Sequence, residues 1–268
     1  MSPDHLKANA AQFGQLAPHY DALGFLTQAA HALAAAVQVP ADGRVLDVAT
    51  GTGTVALALA QRAPEVVGVD LAPAMLDVAR QRGQRQRNVQ FVEAEATALP
   101  FPDATFDVVT CGAGLFFVPD MVAALREWRR VLNPGGEVVY SAFGRGLLGP
   151  LPALWRERLM GEGVKPGAPP LGRIGTPEAA AELLREAGFA DVQADLTVLD
   201  YPLPSPAARW ADIAAGLEGL PLRDFSPETQ HRLRAEHLTE LETLFAGGPL
   251  RVPIPLIVAR GRKVQSFL

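Results

Sequence analysis

Apolar residues follow two spacings along this chain of 268 residues. Short runs rich in valine and other β-branched residues predict strands, and apolar positions three or four residues apart predict amphipathic helices. The predicted strands cover 45–48, 66–69, 89–92, 106–111, 137–142, 189–199 and 252–260. The predicted helices cover 55–62, 72–84, 120–132, 151–160, 176–187, 207–217 and 226–245.

The regular alternation of strand and helix between residues 44 and 142 indicates parallel strands joined by right-handed crossovers. Strands that are apolar throughout are buried on both faces of a sheet. We therefore expect an α/β fold, Rossmann-like and doubly wound, with a mainly parallel seven-stranded sheet and helical lid insertions. Pro253 and Pro255 interrupt the last strand and predict that it lies at a sheet edge or pairs with a bulge at its start.

Composition divides the chain into six predicted segments. A helical N-terminal part with breaks at Pro18 and Gly24 precedes the α/β core, a glycine- and proline-rich insertion interrupts that core, and a second, helical insertion precedes the last strand. Both insertions should emerge near the carboxyl ends of the strands, where they can form a substrate lid. The segments are 1–40, 41–143, 144–175, 176–201, 202–249 and 250–268.

Charge and composition disfavour several classes of protein. The net charge of −5 argues against a general electrostatic hold on nucleic acid, and the arginine tract at 80–87 is typical of a solvated helix end without aromatic residues for base stacking. No stretch is long and apolar enough to span a bilayer. A single cysteine, Cys111, cannot form an internal disulfide, and the N-terminus lacks a secretory signal pattern. We therefore expect a cytoplasmic protein; the sequence gives no indication of its oligomeric state.

The loop after the first predicted strand carries the clearest chemical signal. Gly51 and Gly53 join a buried strand to a helix N-terminus, where free backbone N–H groups can bind a carboxylate or phosphate. Asp70 ends the second strand, where an acid can accept hydrogen bonds from a ribose diol. These features together predict a nucleotide-containing ligand. In the alternative interpretation, the glycines form only a tight turn and Asp70 caps the next helix.

The loop sequence alone leaves the nucleotide open, because residues 51–56 also fit the dinucleotide fingerprint of nicotinamide enzymes. The chain as a whole resembles the class I S-adenosylmethionine-dependent methyltransferases, particularly the small-molecule group that includes the ubiquinone and menaquinone C-methyltransferases. Their acid-x-Gly-x-Gly-x-Gly motif is matched by Asp47, Gly51 and Gly53, with Ala49 in place of the first glycine. Further matches lie at 91–101, 106–112 and 130–136.

The resemblance implies that S-adenosylmethionine is the cofactor and that the 41–143 core binds it. The family pattern places Glu95 and Ala96 at the adenine ring and Cys111 beside the transferable methyl. Met75 fits the adenine side or the interior of its helix. The implied cofactor-binding residues are Tyr20, Asp47, Ala49, Gly51, Gly53, Asp70, Leu71, Met75, Glu95, Ala96 and Cys111.

The N-terminal segment, residues 1–40, resembles the family's leading helix, which covers the cofactor. Tyr20 matches its tyrosine, which could reach the carboxylate end of the donor, or it could simply pack its ring on the sheet edge. Methyl transfer from a sulfonium is an in-line displacement that needs no metal and no covalent nucleophile. A base is required only if the acceptor loses a proton; the candidates are His19, His231 and His237, each also typical of a surface histidine. No catalytic residue is assigned.

Many relatives have a histidine shortly after the fourth strand, whereas this chain has Phe117 near that place. This favours an apolar acceptor pocket, for which the candidates are Phe116, Phe117, Trp155 and Trp210, although the tryptophans fit helix packing as well. We therefore expect an S-adenosylmethionine-dependent methyltransferase acting on a small or medium apolar molecule. Alternatives are a non-catalytic S-adenosylmethionine sensor or scaffold, a nicotinamide-dependent oxidoreductase and an RNA methyltransferase.

Overall fold

A computed structural model describes residues 3–164 and 170–264 of the chain. Parts of the predicted 144–175 insertion and of the C-terminal tail therefore lie outside the described residues. Within the described part, seven strands form one sheet, as the sequence predicts. The strands are β1 (Arg44–Val48), β2 (Glu65–Asp70), β3 (Val89–Glu93), β4 (Phe106–Gly112), β5 (Leu132–Phe143), β6 (Ala190–Leu203) and β7 (Leu250–Arg262).

The strand order is β3-β2-β1-β4-β5-β7-β6. Strands β1 to β5 pair in parallel, and β7 pairs antiparallel with both β5 and β6. The order reverses direction between β1 and β4, which places the carboxyl end of β1 at a topological switch point. Ligands of doubly wound folds bind in the crevice at such a point.

The prediction that the prolines confine the last strand to an edge or a bulge is wrong, because β7 lies between β5 and β6. The carbonyl of Pro255 accepts from Gly144 N–H at 2.7 Å, and that of Pro253 from Leu148 N–H at 2.9 Å. The nitrogen and carbonyl of one strand residue point to the same side, so both ring nitrogens point away from β6. The ring nitrogens face residues 144–148, which follow β5 and are not part of the sheet. The missing N–H groups therefore remove no hydrogen bond between paired strands.

Helices flank the sheet, with bounds within a few residues of those predicted. Two of them, with a short 3₁₀ segment between, form the N-terminal part, and the breaks fall near Pro18 and Gly24 as expected. The α-helices are α1 (Pro3–Leu16), α2 (Gly24–Ala36), α3 (Thr54–Leu59), α4 (Pro73–Gly83), α5 (Met121–Val131), α6 (Leu151–Gly161), α7 (Pro177–Glu186), α8 (Pro206–Ala215) and α9 (Pro227–Leu244). The 3₁₀ segments are Ala17–Ala22, Leu115–Phe117, Pro170–Ile174 and Leu217–Asp224.

Successive residues of each central strand point to opposite faces, and each face is covered. In β1, Val45 packs with the apolar residues of α2 and α3, whereas Leu46 packs with those of α5 and α7. In β4, Val108 packs on the same face as Val45, and Val109 packs on the same face as Leu46. This is the doubly wound packing expected from strands without polar faces.

Helices α6, α8 and α9 form a separate layer around their own apolar cluster. That cluster is built on Trp155, Ile213 and Leu233. Ser205 and Ser226 cap the N-termini of α8 and α9, each side chain accepting a backbone N–H three residues later. The second insertion therefore folds as a packed helical unit.

Candidate active site

The glycine loop after β1 is built from left-handed backbone. Gly51 has φ +54° and Gly53 has φ +84°. A Cβ on Gly53 would meet Phe91 at 3.0 Å and Ala79 at 3.1 Å, whereas a Cβ on Gly51 would meet no atom within 4 Å. Gly53 is thus required for helix-to-strand packing, and Gly51 faces open space in the cleft at the strand ends.

Asp70, at the end of β2, ties this loop to the start of α4. Its Oδ2 accepts from Gly51 N–H at 2.8 Å and its Oδ1 from Ala72 N–H at 2.9 Å. Burial raises the pKa of Asp70, against the opposing effect of those backbone hydrogen bonds. The structure thus shows the capping contact of the alternative interpretation, and Asp70 also lines the cleft.

Ala49 takes the position of the first family glycine and still adopts a glycine-like φ of +54°. A Cβ at Gly114 would lie 2.7 Å from the Cβ of Ala49. The methyl of Ala49 is therefore accommodated because the loop after β4 carries no side chain at Gly114. The family motif includes the position of Ala49 but not the compensating Gly114, which lies on a different loop.

Asp47 is 1% exposed beneath the loop. The Thr50 hydroxyl donates to its Oδ2 at 2.6 Å and the Thr110 hydroxyl to its Oδ1 at 2.7 Å. Burial raises the pKa of Asp47 to about 6 despite these bonds. Such a carboxylate is held rigidly and would be stabilised by a cation placed beside it.

Two adjoining cavities make up the cleft, and Tyr20 lies on the boundary between them. The residues common to both are Tyr20, Ala49, Gly51, Gly112 and Ala113. Burial, together with the carboxylates of Asp70 and Asp21, raises the pKa of the Tyr20 phenol. The phenol is therefore neutral near pH 7, and its residue borders both cavities.

The first cavity is the more apolar and runs along the ends of β2 and β3. Leu71, Met75, Glu95 and Ala96 all line it. Trp128 Nε1 donates to the Ala96 carbonyl at 2.9 Å and so fixes the segment after β3. The four residues that the family pattern assigns to the adenine side thus line the same cavity.

The second cavity carries more polar side chains and surrounds the glycine loop. It is bordered by Asp21, Asp47, Thr50, Thr52 and Ser141, among others. The Ser141 hydroxyl accepts from Ala113 N–H at 3.1 Å, which fixes the turn after β4. Because this cavity meets the N-terminus of α3, it offers backbone N–H groups, hydroxyls and carboxylates to one ligand.

Several predicted site residues lie elsewhere. Cys111 is 0% exposed and lies beneath the cleft, and burial raises the pKa of its thiol. Phe116 is 1% exposed in the main core, so of the two phenylalanines only Phe117 lines a described cavity. Gly53 is buried against Phe91 and Ala79 and lines neither described cavity. The expectation that Cys111, Phe116 and Gly53 face the ligand is therefore not met, because each is enclosed by protein atoms.

The two tryptophans proposed for the acceptor pocket belong to the helical layer. The rings of Trp155 and Trp210 pack edge to face at 5.5 Å, and Trp155 lies 5.0 Å from the ring of His237. Neither tryptophan lines either described cavity. Their aromatic surface is used between α6, α8 and α9, which is the packing alternative.

The histidine candidates also lie away from the cleft. His19 and His231 are exposed, whereas His237 is fully buried, with Nδ1 3.0 Å from Oε2 of Glu240. Burial lowers the pKa of His237, so its ring is neutral near pH 7. None of the three lines a described cavity.

Helix α1 supplies cleft residues that the sequence reasoning missed. Asn9, Ala10 and Phe13 line the first cavity, and the rings of Phe13 and Phe117 pack edge to face at 4.9 Å. The apolar spacing around Phe13 predicts a helix but not the surface against which that helix packs. The contact joins residues more than one hundred positions apart, and local periodicity carries no such information.

Comparison with known proteins agrees with this geometry. Residues 46–140 match the family model described as a methyltransferase domain. The chain is 38% identical over 210 residues to the demethylmenaquinone methyltransferase of Deinococcus radiodurans, covering 68% of this chain and 86% of that enzyme. It is 46% identical over 140 residues to the Thermus thermophilus enzyme of the same name, covering 49% of this chain and 64% of that one. The fold resembles that of the YcgJ protein of Bacillus subtilis, with TM-score 0.58, 24% identity and coverage of 92% of this chain and 100% of that one.

The sheet, the cleft at its switch point and the matched domain define an S-adenosylmethionine-dependent methyltransferase of class I. Within that class, the chain belongs to the family of the quinone C-methyltransferases. The resemblance inferred from its motifs is thus confirmed, and nothing supports the oxidoreductase or sensor alternatives. In the described part of the chain, no helix has the length and hydropathy needed to cross a membrane.

Proposed function

We propose that the two cavities hold one molecule of S-adenosylmethionine across the boundary at Tyr20. The open space at Gly51, where a Cβ would meet no protein atom, supports this most directly, because a ligand can approach the backbone there. The methionine part would lie in the second cavity, where the buried Asp47 favours a cation. The adenosine would lie in the first, with Asp70 at the ribose and Glu95 and Ala96 at the adenine.

The residues of the chain would act by placement. When bound, the cofactor would supply an electrophilic methyl on its sulfonium, and S-adenosylhomocysteine would remain after the methyl is transferred. The protein holds donor and acceptor in line and keeps water out. Tyr20 and the α1 residues Asn9, Ala10 and Phe13, which line the cleft, would help to exclude water.

We propose that the acceptor is a small or medium, largely apolar molecule of the class to which demethylmenaquinone belongs. The names of the relatives and the aromatic pair of Phe13 and Phe117 support this assignment. No histidine candidate borders the cleft, so the site suits an electron-rich acceptor such as a reduced quinone. The proton that this acceptor loses would pass to a carboxylate of the cleft or to solvent. An acceptor that needs a strong protein base fits this site less well.

The experiment uses the full chain, methyl-labelled S-adenosylmethionine and a reduced short-chain demethylmenaquinone, with product measured by mass spectrometry. We expect one labelled methyl per acceptor molecule. Phe117→Ala should lower kcat/KM for the acceptor by roughly tenfold while leaving S-adenosylhomocysteine affinity within about twofold. Phe245→Ala, which removes a partly buried ring beside α9, is the matched control and should change neither.

Labelling of the parent without any effect of Phe117→Ala would place the acceptor elsewhere on the protein. Failure to label this acceptor, with labelling of an unrelated molecule from cell extract, would refute the quinone class. The cytoplasmic location and the absence of a nucleic-acid partner remain predictions from the sequence.

A further inference from the structure

Arg82, near the C-terminal end of α4, connects three parts of the chain that border the cleft. The two hydrogens of its Nη1 are shared among Oδ1 of Asp21 at 3.0 Å, the Thr52 carbonyl at 2.8 Å and the Thr54 hydroxyl at 3.0 Å. The Thr52 hydroxyl donates to the same carboxylate oxygen at 2.6 Å. One guanidinium group thus links α4, the glycine loop and the 3₁₀ segment Ala17–Ala22.

That 3₁₀ segment contains Tyr20, which borders both cavities. Asp21 directly follows Tyr20, and both residues line the second cavity. Arg82 itself lines neither described cavity. Any influence of Arg82 on a ligand must therefore pass through the residues to which it donates.

We propose that Arg82 is a positioning residue that holds Tyr20 and Asp21 across the cleft and thereby slows release of the cofactor. The inference rests on the proposed placement of S-adenosylmethionine in the two cavities. It gives part of the arginine tract at 80–87 a role other than solvating a helix end. The neighbouring Arg80 lacks this link, because its ion pair is with Asp77 of the same helix.

Because the ion pair between Arg82 and Asp21 is partly exposed, we expect it to affect local opening of the 3₁₀ segment more than global stability. The side chains of Arg82 and Asp21 are 34% and 40% exposed, and partly exposed ion pairs add little to global stability. The 3₁₀ segment, however, is only six residues long between two helices. Local opening of such a segment depends on its own few contacts rather than on the whole fold.

Side chains of the segment also make apolar contacts. The ring of Tyr20 packs against Phe13 with centroids 6.2 Å apart, and Ala17 is buried with the apolar residues of α1 and α4. The bonds between Asp21, Thr52 and Arg82 fix the segment relative to the glycine loop.

The test measures the dissociation rate of S-adenosylhomocysteine from the immobilised full chain by surface plasmon resonance. Arg82→Gln should accelerate dissociation by about threefold to tenfold, because the network loses charge-assisted bonds at a partly exposed site. Asp21→Asn should do the same from the other side of the pair. Arg80→Gln is the matched control on the same helix and should leave the rate unchanged.

Salt provides a readout that a purely structural role would not give. Raising ionic strength from about 0.05 M to about 0.5 M screens an exposed pair. It should therefore accelerate dissociation from the parent and from Arg80→Gln, and much less from Arg82→Gln. Arg82→Lys, which keeps the charge but not the planar set of donors, should lie between parent and Gln variant.

Equal dissociation rates for Arg82→Gln and Arg80→Gln, with unfolding free energies close to that of the parent, would overturn the inference. If Arg82→Gln were unfolded, Asp21→Asn would decide it alone, and a rate equal to that of the parent would overturn it. If the parent did not bind S-adenosylhomocysteine, the proposed function itself would fail, and this inference with it.

Discussion

Gly51→Ala tests the placement of the cofactor with a single added methyl. The residue has φ +54°, so an alanine there adopts left-handed backbone. The new methyl meets no protein atom within 4 Å and projects into space bordered by both cavities. The substitution therefore has two effects. Backbone strain lowers the unfolding free energy of the protein without ligand, and the added methyl obstructs only a bound ligand.

The two effects differ in size and in the assay that detects them. Left-handed backbone costs an L-residue about 1–2 kcal/mol, partly offset by the lower entropy of the unfolded alanine chain, so the unfolding free energy should fall by about 1 kcal/mol. An extra methyl in a close-packed contact costs roughly 1–3 kcal/mol, so S-adenosylhomocysteine should bind roughly 5- to 150-fold more weakly.

Gly146→Ala provides the matched control. Gly146 has φ +84°, is exposed, and would also place its Cβ where no atom lies within 4 Å, but it borders neither cavity. Urea unfolding should show similar losses of stability for the two variants. Calorimetric titration should show weaker S-adenosylhomocysteine binding for Gly51→Ala alone; equal affinities in both variants would refute the reasoning.

Three further outcomes follow from the same geometry. Because the pKa of Asp47 is about 6 in the folded chain and 3.8 ordinarily, the folded chain retains a proton that the unfolded chain loses. The unfolding free energy should therefore fall as pH rises from about 4 to about 6, with a shallower slope in Asp47→Asn when both are followed by urea titration. Ala49→Gly should relieve left-handed strain and raise the unfolding free energy by up to about 1 kcal/mol, and a loss of stability there would contradict the backbone argument. Phe116→Ala should cost about 3–5 kcal/mol in thermal or urea unfolding, as for a core phenylalanine, without changing acceptor preference; a changed preference with intact stability would return Phe116 to the acceptor pocket.

The sheet could be predicted from the sequence because its strands carry their own signal. The β-branched runs at 45–48 and 66–69 are buried on both faces, so local composition and final environment agree. The glycine loop was also predictable, because left-handed backbone restricts which residues can occupy it. Conversely, β5 begins at Leu132, earlier than predicted, because Leu132 pairs with Phe106 across a register shift that only the partner strand determines.

The rest of the site depends on contacts between distant segments. Nothing local distinguishes Phe117, which lines the cleft, from Phe116, which is buried in the core, because one step along a 3₁₀ segment reverses the environment. The sequence around Trp155 and Trp210 fits an acceptor pocket and helix packing equally well. Their position is determined by how α6, α8 and α9 pack together. Gly114 was unpredictable because its role depends on the methyl of Ala49, on a different loop.

Hydrogen exchange with and without S-adenosylhomocysteine, read by mass spectrometry of peptides from the full chain, tests the central claim most directly. If one cofactor spans both cavities, it should slow exchange in residues 9–21, 49–54, 70–75, 94–96 and 112–118. Peptides from α6 and α9 should exchange at unchanged rates. Protection confined to those helices, or absent from the glycine loop, would contradict the account.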